Sequence, residues 1–323
     1  MKTIRYFSGE QSGLVLLSVM LVFAVVSILV ISLIDRQYLN IRRTEHLLAQ
    51  DQAYVYTISA EALAIRALYE DELQDNKQFG HLVDGLQDAW RKPVYFPLER
   101  GGIVAQLTDL QSRLNVNNIQ PDLHDTRARL KKLITQLDSQ ADAEMIVDSL
   151  IQWMDADNIP QGIGAEEDYY LGLEPAYRTA NHGMMHVSEL RLIRGMTHNL
   201  YQKLLPYVSV LPAGSLINVN TATLEVLEQY MTPETARVLI DRRESTAFSS
   251  LEAAFQNQTS PVDSAAFSVE SQFFLLNTKV TIEDRTVESA SLIYRPKQIT
   301  AEDTIRVIQR DRAYHFMLGT PAT

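Results

Sequence analysis

The densest group of potential ligands in the sequence is the acidic stretch at residues 153–170, WMDADNIPQGIGAEEDYY. Carboxylate oxygens in a loop rich in Gly and Pro are the ligands that Ca²⁺ prefers in proteins. The stretch is not an EF-hand, because Ile159 and Pro160 stand where such a loop needs a polar residue and a glycine. Two interpretations stay open: a solvated acidic loop, or a calcium site whose candidate ligands are Asp155, Asp157, Glu166, Glu167 and Asp168.

Other residue types give little support for catalysis. The chain has no cysteine, so it cannot form a disulfide, a thiolate metal site or a thiol nucleophile. His182 and His186 are four residues apart, but HGMMH lacks the glutamate of the H-E-x-x-H zinc motif and is predicted to lie in a loop. The sequence also lacks a G-x-S-x-G nucleophile elbow and a Gly-rich phosphate loop. We therefore predict that the protein is not an enzyme.

Charge and one local resemblance bear on nucleic-acid binding. The net charge of −11, from 40 acidic and 29 basic residues, makes the chain a poor candidate for binding phosphate backbones. Residues 217–255 nevertheless resemble the helix-hairpin-helix modules of DNA-binding proteins. The hairpin position, YMTPET, has no glycine, and the basic residues are only Arg237, Arg242 and Arg243. We expect the fold of such a module without binding of nucleic acid.

An uncharged apolar run occupies residues 14–34. A helix of about 20 such residues spans one bilayer core. The run is too long for the core of a cleaved signal peptide, and no small-x-small cleavage site follows it. Lys2 and Arg5 precede it and favour a cytoplasmic N-terminus, but Arg36, Arg42 and Arg43 follow it, so the charge rule alone leaves the orientation open. From these residues alone, the run could be a plain single-pass membrane anchor or the apolar half of a longer, more specialised helix.

The helical pattern continues beyond the apolar run. Positions spaced by three and four residues from 41 to 69 are mostly apolar, which predicts one face of a continuous helix. Asp75, Lys77 and Gly80 are expected to end it, so its length should be roughly 55 to 60 residues. We expect its second half to pack on a folded domain, and the predicted apolar face comprises Ile41, Leu48, Val55, Ile58, Ala62, Ile65 and Tyr69.

Strand patterns flank a helical block. Residues 93–119 look extended, with a turn at residues 100–102, and alternating patterns return at 267–282, 286–295 and 304–310. Between them, helical spacing is clear at 125–137 and 141–154, and short helices follow a loop at 155–187. These elements predict an α+β fold in which a helical domain is inserted between strands.

Local motifs predict where some elements begin. RLNVNN at 113–118 recurs as LINVNT at 216–221, and such asparagines typically end strands and cap helices. Thr232, followed by proline and glutamate, predicts a helix start. Ser249 and Glu252 have the spacing of a capping box.

The N-terminus resembles the precursors of type IV pilin-like proteins, because Gly13 ends a short basic leader directly before the apolar run. The resemblance implies that a prepilin peptidase cuts between Gly13 and Leu14 and methylates the amine of Leu14. The fifth mature position, normally glutamate, is Ser18. In that family the glutamate is thought to neutralise the amine of a neighbouring subunit, and a lone carboxylate in hydrocarbon is costly. A serine there fits a subunit at the tip of a fibre.

The chain as a whole resembles the K-type minor pseudopilins of type II secretion, also called general secretion pathway protein K. The motifs that carry the resemblance are DLQSRLNVNN, IQWMDADNIPQGIGAEEDYY, YRTAN, SELRLIRGM and LPAGSLINVNTA. It implies a pilin-like α+β fold with a long N-terminal helix on an antiparallel sheet. The implied segments are a leader (1–13), a transmembrane part (14–34), a pilin-like domain (35–120 and 267–323) and an inserted α-helical domain (121–266).

The family also implies a function. The protein would be anchored in the inner membrane with its globular part in the periplasm. It would start and cap the pseudopilus together with the I- and J-type minor pseudopilins, and it would meet the major pseudopilin, the prepilin peptidase and the inner-membrane assembly platform. Family members bind Ca²⁺ in the inserted domain. The alternatives are a pilin-like DNA-uptake component and an anchored periplasmic binding protein or hydrolase.

Overall fold

The computed structural model of the protein describes residues 12–120, 122–123, 125–256, 262–283 and 285–311. Its first element is helix α1 (Ser12–Gln78), which spans 67 residues. The predicted length of roughly 55 to 60 residues is too short, because Asp75 and Lys77 continue the helix. The Asp75 carboxylate accepts a hydrogen bond from the amide of Val83, 2.9 Å away, so it fastens the following segment without breaking the helix. Gly80, with a φ of 79°, turns the chain after α1.

The first part of α1 is apolar and exposed. Among the described residues, α1 is the one helix that is long and apolar enough to cross a membrane, with a mean hydropathy of 3.0 in its most apolar window. Leu17 and Phe23 are 69% and 73% exposed. An apolar surface of this size needs hydrocarbon or other helices around it. The apolar run predicted to be transmembrane is therefore helical and lacks cover from the rest of the described chain.

The strands that follow divide between one large sheet and two short parallel pairs. The strands are β1 (Val94–Leu98), β2 (Gly101–Asp109), β3 (Leu114–Asn115), β4 (Val208–Ser209), β5 (Ile217–Asn218), β6 (Phe267–Ser268), β7 (Phe273–Ile282), β8 (Arg285–Tyr294) and β9 (Arg306–Asp311). The large sheet has the order β1-β2-β7-β8-β9, and neighbouring strands in it are antiparallel. β3 pairs with β4, and β5 pairs with β6.

The second half of α1 packs on this sheet, but of the predicted face only Ile65 packs against the cluster that joins them. Leu48 and Val55 are 63% and 60% exposed, whereas the side chains buried against the sheet include Ala60, Ala64 and Leu68. Small alanines let the helix approach the strands closely, yet they contribute little to a hydrophobic pattern. The periodic stripe identified the helix correctly. Most of the stripe lies on a side of α1 that the rest of the described chain leaves exposed.

The helices between β3 and β6 match most of the predicted ones. Two separate hydrophobic clusters hold them: one spans residues 114–208 and the other spans residues 217–267. Within the predicted loop at 155–187, the structure adds one short helix. The helices are α2 (Thr126–Leu137), α3 (Ala143–Met154), α4 (Glu167–Leu171), α5 (His198–Leu204), α6 (Leu224–Leu227), α7 (Pro233–Arg243) and α8 (Leu251–Phe255).

The repeated asparagine motif forms the expected junctions. Asn115 and Asn218 end the short strands β3 and β5, and each accepts a hydrogen bond from an amide two residues on. Asn117 donates to the carbonyls of Met184 and Leu211 and accepts from the Met184 amide, at 2.8–2.9 Å. These buried amides replace backbone partners where irregular segments meet.

The helix starts were predicted with mixed success. Thr232 caps α7 with Pro233 at its first position, as expected. The capping box at Ser249 was wrong by one residue, because Ser250 is the residue whose hydroxyl accepts from the Ala253 amide. The α+β class, the long N-terminal helix and the antiparallel sheet are confirmed.

Candidate functional site

The acidic loop connects the end of α3 to the start of α4. Asp155 follows the last residue of α3, and its amide donates to the carbonyl of Ile151. Glu166 directly precedes α4. Asn181 approaches from further along the chain, where its amide donates to the carbonyl of Trp153 at 3.0 Å. Three segments of the chain therefore meet beside the C-terminal end of α3.

Several oxygen atoms in this region are buried without a hydrogen-bond donor among the described residues. They include Oδ1 of Asp155 and both carboxylate oxygens of Glu166, a residue only 5% exposed. The side-chain oxygens of Thr179 and Asn181 are also buried and have no such partner. A buried carboxylate without donors is costly, so this set of oxygens is suited to a bound cation.

The charges around Glu166 reinforce this point. Burial raises the pKa of Glu166, and the carboxylates of Asp155, Asp157 and Glu167 raise it further. Burial, followed by the charge of Asp157, likewise raises the pKa of Asp155. Four of the five predicted ligands therefore lie close enough to repel one another. A divalent cation would relieve that repulsion.

The other predicted ligands differ in their surroundings. Glu167 forms an ion pair with Arg178 at 2.9 Å and accepts from the amide group of Asn158 at 3.1 Å. Asp157 is exposed and accepts from the amide of Ile159 at 2.8 Å. Asp168 is exposed in the first turn of α4. The five carboxylates do not offer three ligand atoms within 4.8 Å of one another.

A second set of carboxylates, which the sequence analysis did not predict, does bring three ligand atoms this close together. Asp71, Asp84 and Asp88 each offer a ligand atom, and these atoms lie within 4.8 Å of one another. Asp71 belongs to α1, whereas the other two lie in the segment between α1 and β1. Neither a helical period nor a loop motif relates these positions, so nothing local in the sequence marks them as a group.

The predicted processing site is described only in part. Residues 1–11 lie outside the described residues, and the backbone of Gly13 and Leu14 belongs to α1. The hydroxyl of Ser18 donates to the carbonyl of Val15 at 2.9 Å. A serine that bonds back to its own helix places no unsatisfied donor in hydrocarbon.

The histidines and arginines that the sequence analysis did not assign to a zinc site or to nucleic-acid binding have structural roles. His186 precedes a 3₁₀ helix (Val187–Leu192) and forms a capping box with Glu189, whereas His182 contacts the carbonyl of Gly183. Arg243 is 4% exposed and donates to the carbonyls of Val219 and Ala222. Arg242 donates to two carbonyls of α8. Two of the three basic residues in the helix-hairpin-helix-like segment therefore donate hydrogen bonds to backbone carbonyls of the protein itself.

Comparison with known proteins covers almost the whole chain. The family model described as "Type II secretion system (T2SS), protein K" matches residues 112–213. Type II secretion system protein K of Pseudomonas aeruginosa is 34% identical, over 93% of this chain and 92% of that protein. The protein of the same name from Pectobacterium carotovorum is 31% identical, over 94% and 96% of the two chains.

A solved structure extends the similarity to three dimensions. It is the crystal structure of the GspK-GspI-GspJ complex from the enterotoxigenic Escherichia coli type 2 secretion system. One of its chains is 28% identical to this one and superposes with a TM-score of 0.73. The match covers 84% of this chain and all of the other.

Proposed function

The chain belongs to the type II secretion system protein K family, and we propose that this minor pseudopilin acts at the tip of the pseudopilus, where it starts and caps assembly and so supports export of folded proteins. The observation that carries the proposal is the match over the full length of a chain solved in a GspK-GspI-GspJ complex. Its partners are accordingly the I- and J-type minor pseudopilins. The relatives are components of a secretion system, which favours assembly over catalysis.

The inserted helices support a position at the tip. The segment between β2 and β7 adds α2 to α8, with two hydrophobic clusters of its own. A body of this size at the head of the stalk would obstruct the addition of a further subunit above it. Ser18 supports the same position, because a topmost subunit has no neighbouring amine for a carboxylate to neutralise.

The apolar first part of α1 supports the proposed anchoring in a membrane. The chain is membrane-anchored through its apolar first part, with the N-terminus in the cytoplasm and the globular part in the periplasm. A prepilin peptidase would cut between Gly13 and Leu14 and methylate Leu14. The freed helix then supplies an anchor before assembly and a fibre core afterwards, in contact with the major pseudopilin and the inner-membrane assembly platform.

The exposed apolar stripe on the second half of α1 is the proposed contact with partner helices. Ile41, Leu48 and Val55 share this stripe, and each is at least 50% exposed. Soluble proteins rarely expose such a row, and rows of this kind typically mark interfaces. The stripe is continuous along α1 with the membrane-spanning part.

Ca²⁺ is the proposed ligand of the acidic loop. Asp155 and Glu166 would hold it, because their buried oxygens have no donors among the described residues. Asp157 and Glu167 would lie beside it, since their charges act on Glu166. When bound, the ion supplies positive charge that joins the end of α3 to the start of α4. Asp168 is left out of the proposed set because it is exposed in the first turn of α4.

Co-purification of the full chain with the I- and J-type minor pseudopilins from detergent tests the proposed assembly. We expect a stable ternary complex with the wild type and a loss of partners with Leu48→Glu, which puts a charge on the exposed stripe. Gln52→Glu, on an exposed position of the same helix, is the matched control and should keep its partners. Failure of the wild-type chain to retain either partner would contradict the proposal.

A further inference from the structure

A cavity of about 520 Å³ lies at the C-terminal end of α1. It is bounded by the last three turns of α1, by the segment that leads to β1, and by the residues that follow α7. Carboxylates concentrate on its walls, and Asp71, Asp75 and Asp88 line it. This cavity is remote in sequence from the acidic loop described above.

Asp84 is the buried centre of this group. It is completely buried, and its Oδ2 accepts from the amide of Ser271 at 2.7 Å and from Arg295. Its second oxygen, Oδ1, is buried and accepts no hydrogen bond from any residue that the structure describes. Asp84 thus presents an unpartnered charged oxygen beside two further carboxylates.

The spacing of the carboxylates is that of ligands around one ion. Ligand atoms of Asp71, Asp84 and Asp88 all lie within 4.8 Å of one another. Oxygens bound to one Ca²⁺ at about 2.3–2.6 Å can be at most roughly 5 Å apart. The three carboxylates therefore need little rearrangement to share a cation.

Positive charge from the protein neutralises only part of this group. Arg295, fully buried, pairs with Asp84 and lies 3.3 Å from Oδ2 of Asp71. Asp88 accepts hydrogen bonds from the Gly85 amide and the Trp90 indole, and both donors are neutral. Burial and the neighbouring carboxylates raise the pKa of Asp71 to about 8 and that of Asp88 to about 6. Three negative charges so close together are therefore unfavourable unless further positive charge is supplied.

We propose that Asp71, Asp84 and Asp88 form a second divalent-cation site, of the Ca²⁺ class, that fastens the end of the stalk helix to the globular head. Asp71 lies on α1, and Asp84 and Asp88 lie in the segment that starts the head, so one ion would cross-link the two. Arg295 extends the link to the end of β8. This site is independent of the acidic loop and of the proposed role at the pseudopilus tip.

The two tryptophans of the chain allow the two sites to be distinguished. The Trp90 indole donates to Oδ2 of Asp88 at 3.2 Å, so it touches the proposed second site. Trp153 lies two residues before Asp155, beside the acidic loop. Tb³⁺ can substitute for Ca²⁺, and its emission is excited by energy transfer from a nearby indole. The variants Trp90→Phe and Trp153→Phe therefore show which of the two sites an emission component comes from.

The experiment uses the full chain in detergent, titrated with Tb³⁺ and excited in the tryptophan band. The expected result is a Trp90-dependent component that Trp90→Phe removes, Trp153→Phe leaves in place, and Ca²⁺ displaces. Asp88→Asn should remove the same component, whereas Asp51→Asn, an exposed carboxylate on α1, should preserve it. Emission from the wild type that Trp90→Phe leaves unchanged would overturn the second site, whether or not the aspartate variants fold.

Discussion

Arg310 of β9 forms a two-point ion pair with Glu61 of α1: Nε lies 2.8 Å from Oε1, and Nη2 lies 2.8 Å from Oε2. Glu61 is 3% exposed and also accepts from the hydroxyl of Ser291 at 2.7 Å. A carboxylate on the helix is thus satisfied by two adjacent strands, and the edge strand is fastened to the stalk.

Arg310→Ala should destabilise the fold by about 1.5–3 kcal/mol, because it removes two charge-assisted bonds and leaves Glu61 buried with one donor. Arg66→Ala, which breaks an exposed pair with Glu70 on the same helix, should cost less than about 1 kcal/mol. Urea unfolding of the full chain in detergent, followed by tryptophan fluorescence, measures both. Equal effects of the two variants would contradict this account of the pair.

The carboxylates near Arg295 predict an unusual pH dependence in the presence of a chelator. Burial and neighbouring aspartates raise the pKa of Asp71 to about 8, and burial raises the pKa of Asp109 to about 6, both above the ordinary aspartate value of about 3.9. The folded state then binds more protons than the unfolded state between about pH 4 and about pH 8. The stability these groups contribute is complete below about pH 4 and is lost as the pH rises to about 8.

Asp71→Asn should flatten this decline, by up to about 1.4 kcal/mol per pH unit. The free energy of unfolding, measured at several pH values in chelator, gives the slope directly. Asp51→Asn should keep the wild-type slope, since that side chain is exposed. An unchanged slope in Asp71→Asn would show that this carboxyl titrates alike in the folded and unfolded chain.

Glu166→Gln should have opposite effects with and without Ca²⁺. In chelator the variant should be at least as stable as the wild type, because it removes a buried carboxylate that three others repel. In Ca²⁺ at about a hundred times its dissociation constant, the wild type should gain about 2.7 kcal/mol and the variant much less. Asp168→Asn should gain as much as the wild type. If Asp168→Asn were not stabilised by Ca²⁺, the proposed set of Ca²⁺ ligands would be wrong.

Asn117→Ala should cost more than about 2 kcal/mol, because its amide satisfies three buried backbone groups of Met184 and Leu211. Asn199→Ala, at an exposed position of α5, should change stability by less than about 0.5 kcal/mol. Chemical unfolding compares the two. A small cost at Asn117 would mean that water replaces its hydrogen bonds.

The sequence predicted elements well wherever a pattern was long and local. The alternation at 267–282 and 286–295 became β7 and β8, and the helical spacing at 125–137 and 141–154 became α2 and α3. The family was identified correctly from several motifs in order. A periodic pattern depends only on residues that are near each other in the chain, so it can predict elements whose conformation is decided locally.

The errors arose where distant residues decide the structure. The pattern on α1 located its apolar stripe, but the alanines and Glu61 face the sheet because β8 and β9 supply their partners. The Asp71, Asp84 and Asp88 group exists only once α1 and the segment before β1 are folded together. No local spacing could predict either feature.

Processing at the N-terminus tests the central claim most directly. The measurement is the intact mass of the chain purified from cells with and without a prepilin peptidase. As a pilin-like subunit, the protein should lose residues 1–13 and gain one methyl group only when the peptidase is present. A full-length, unmethylated mass in both strains would contradict the assignment of this chain to the pseudopilus, and the apolar part of α1 would then be an ordinary anchor.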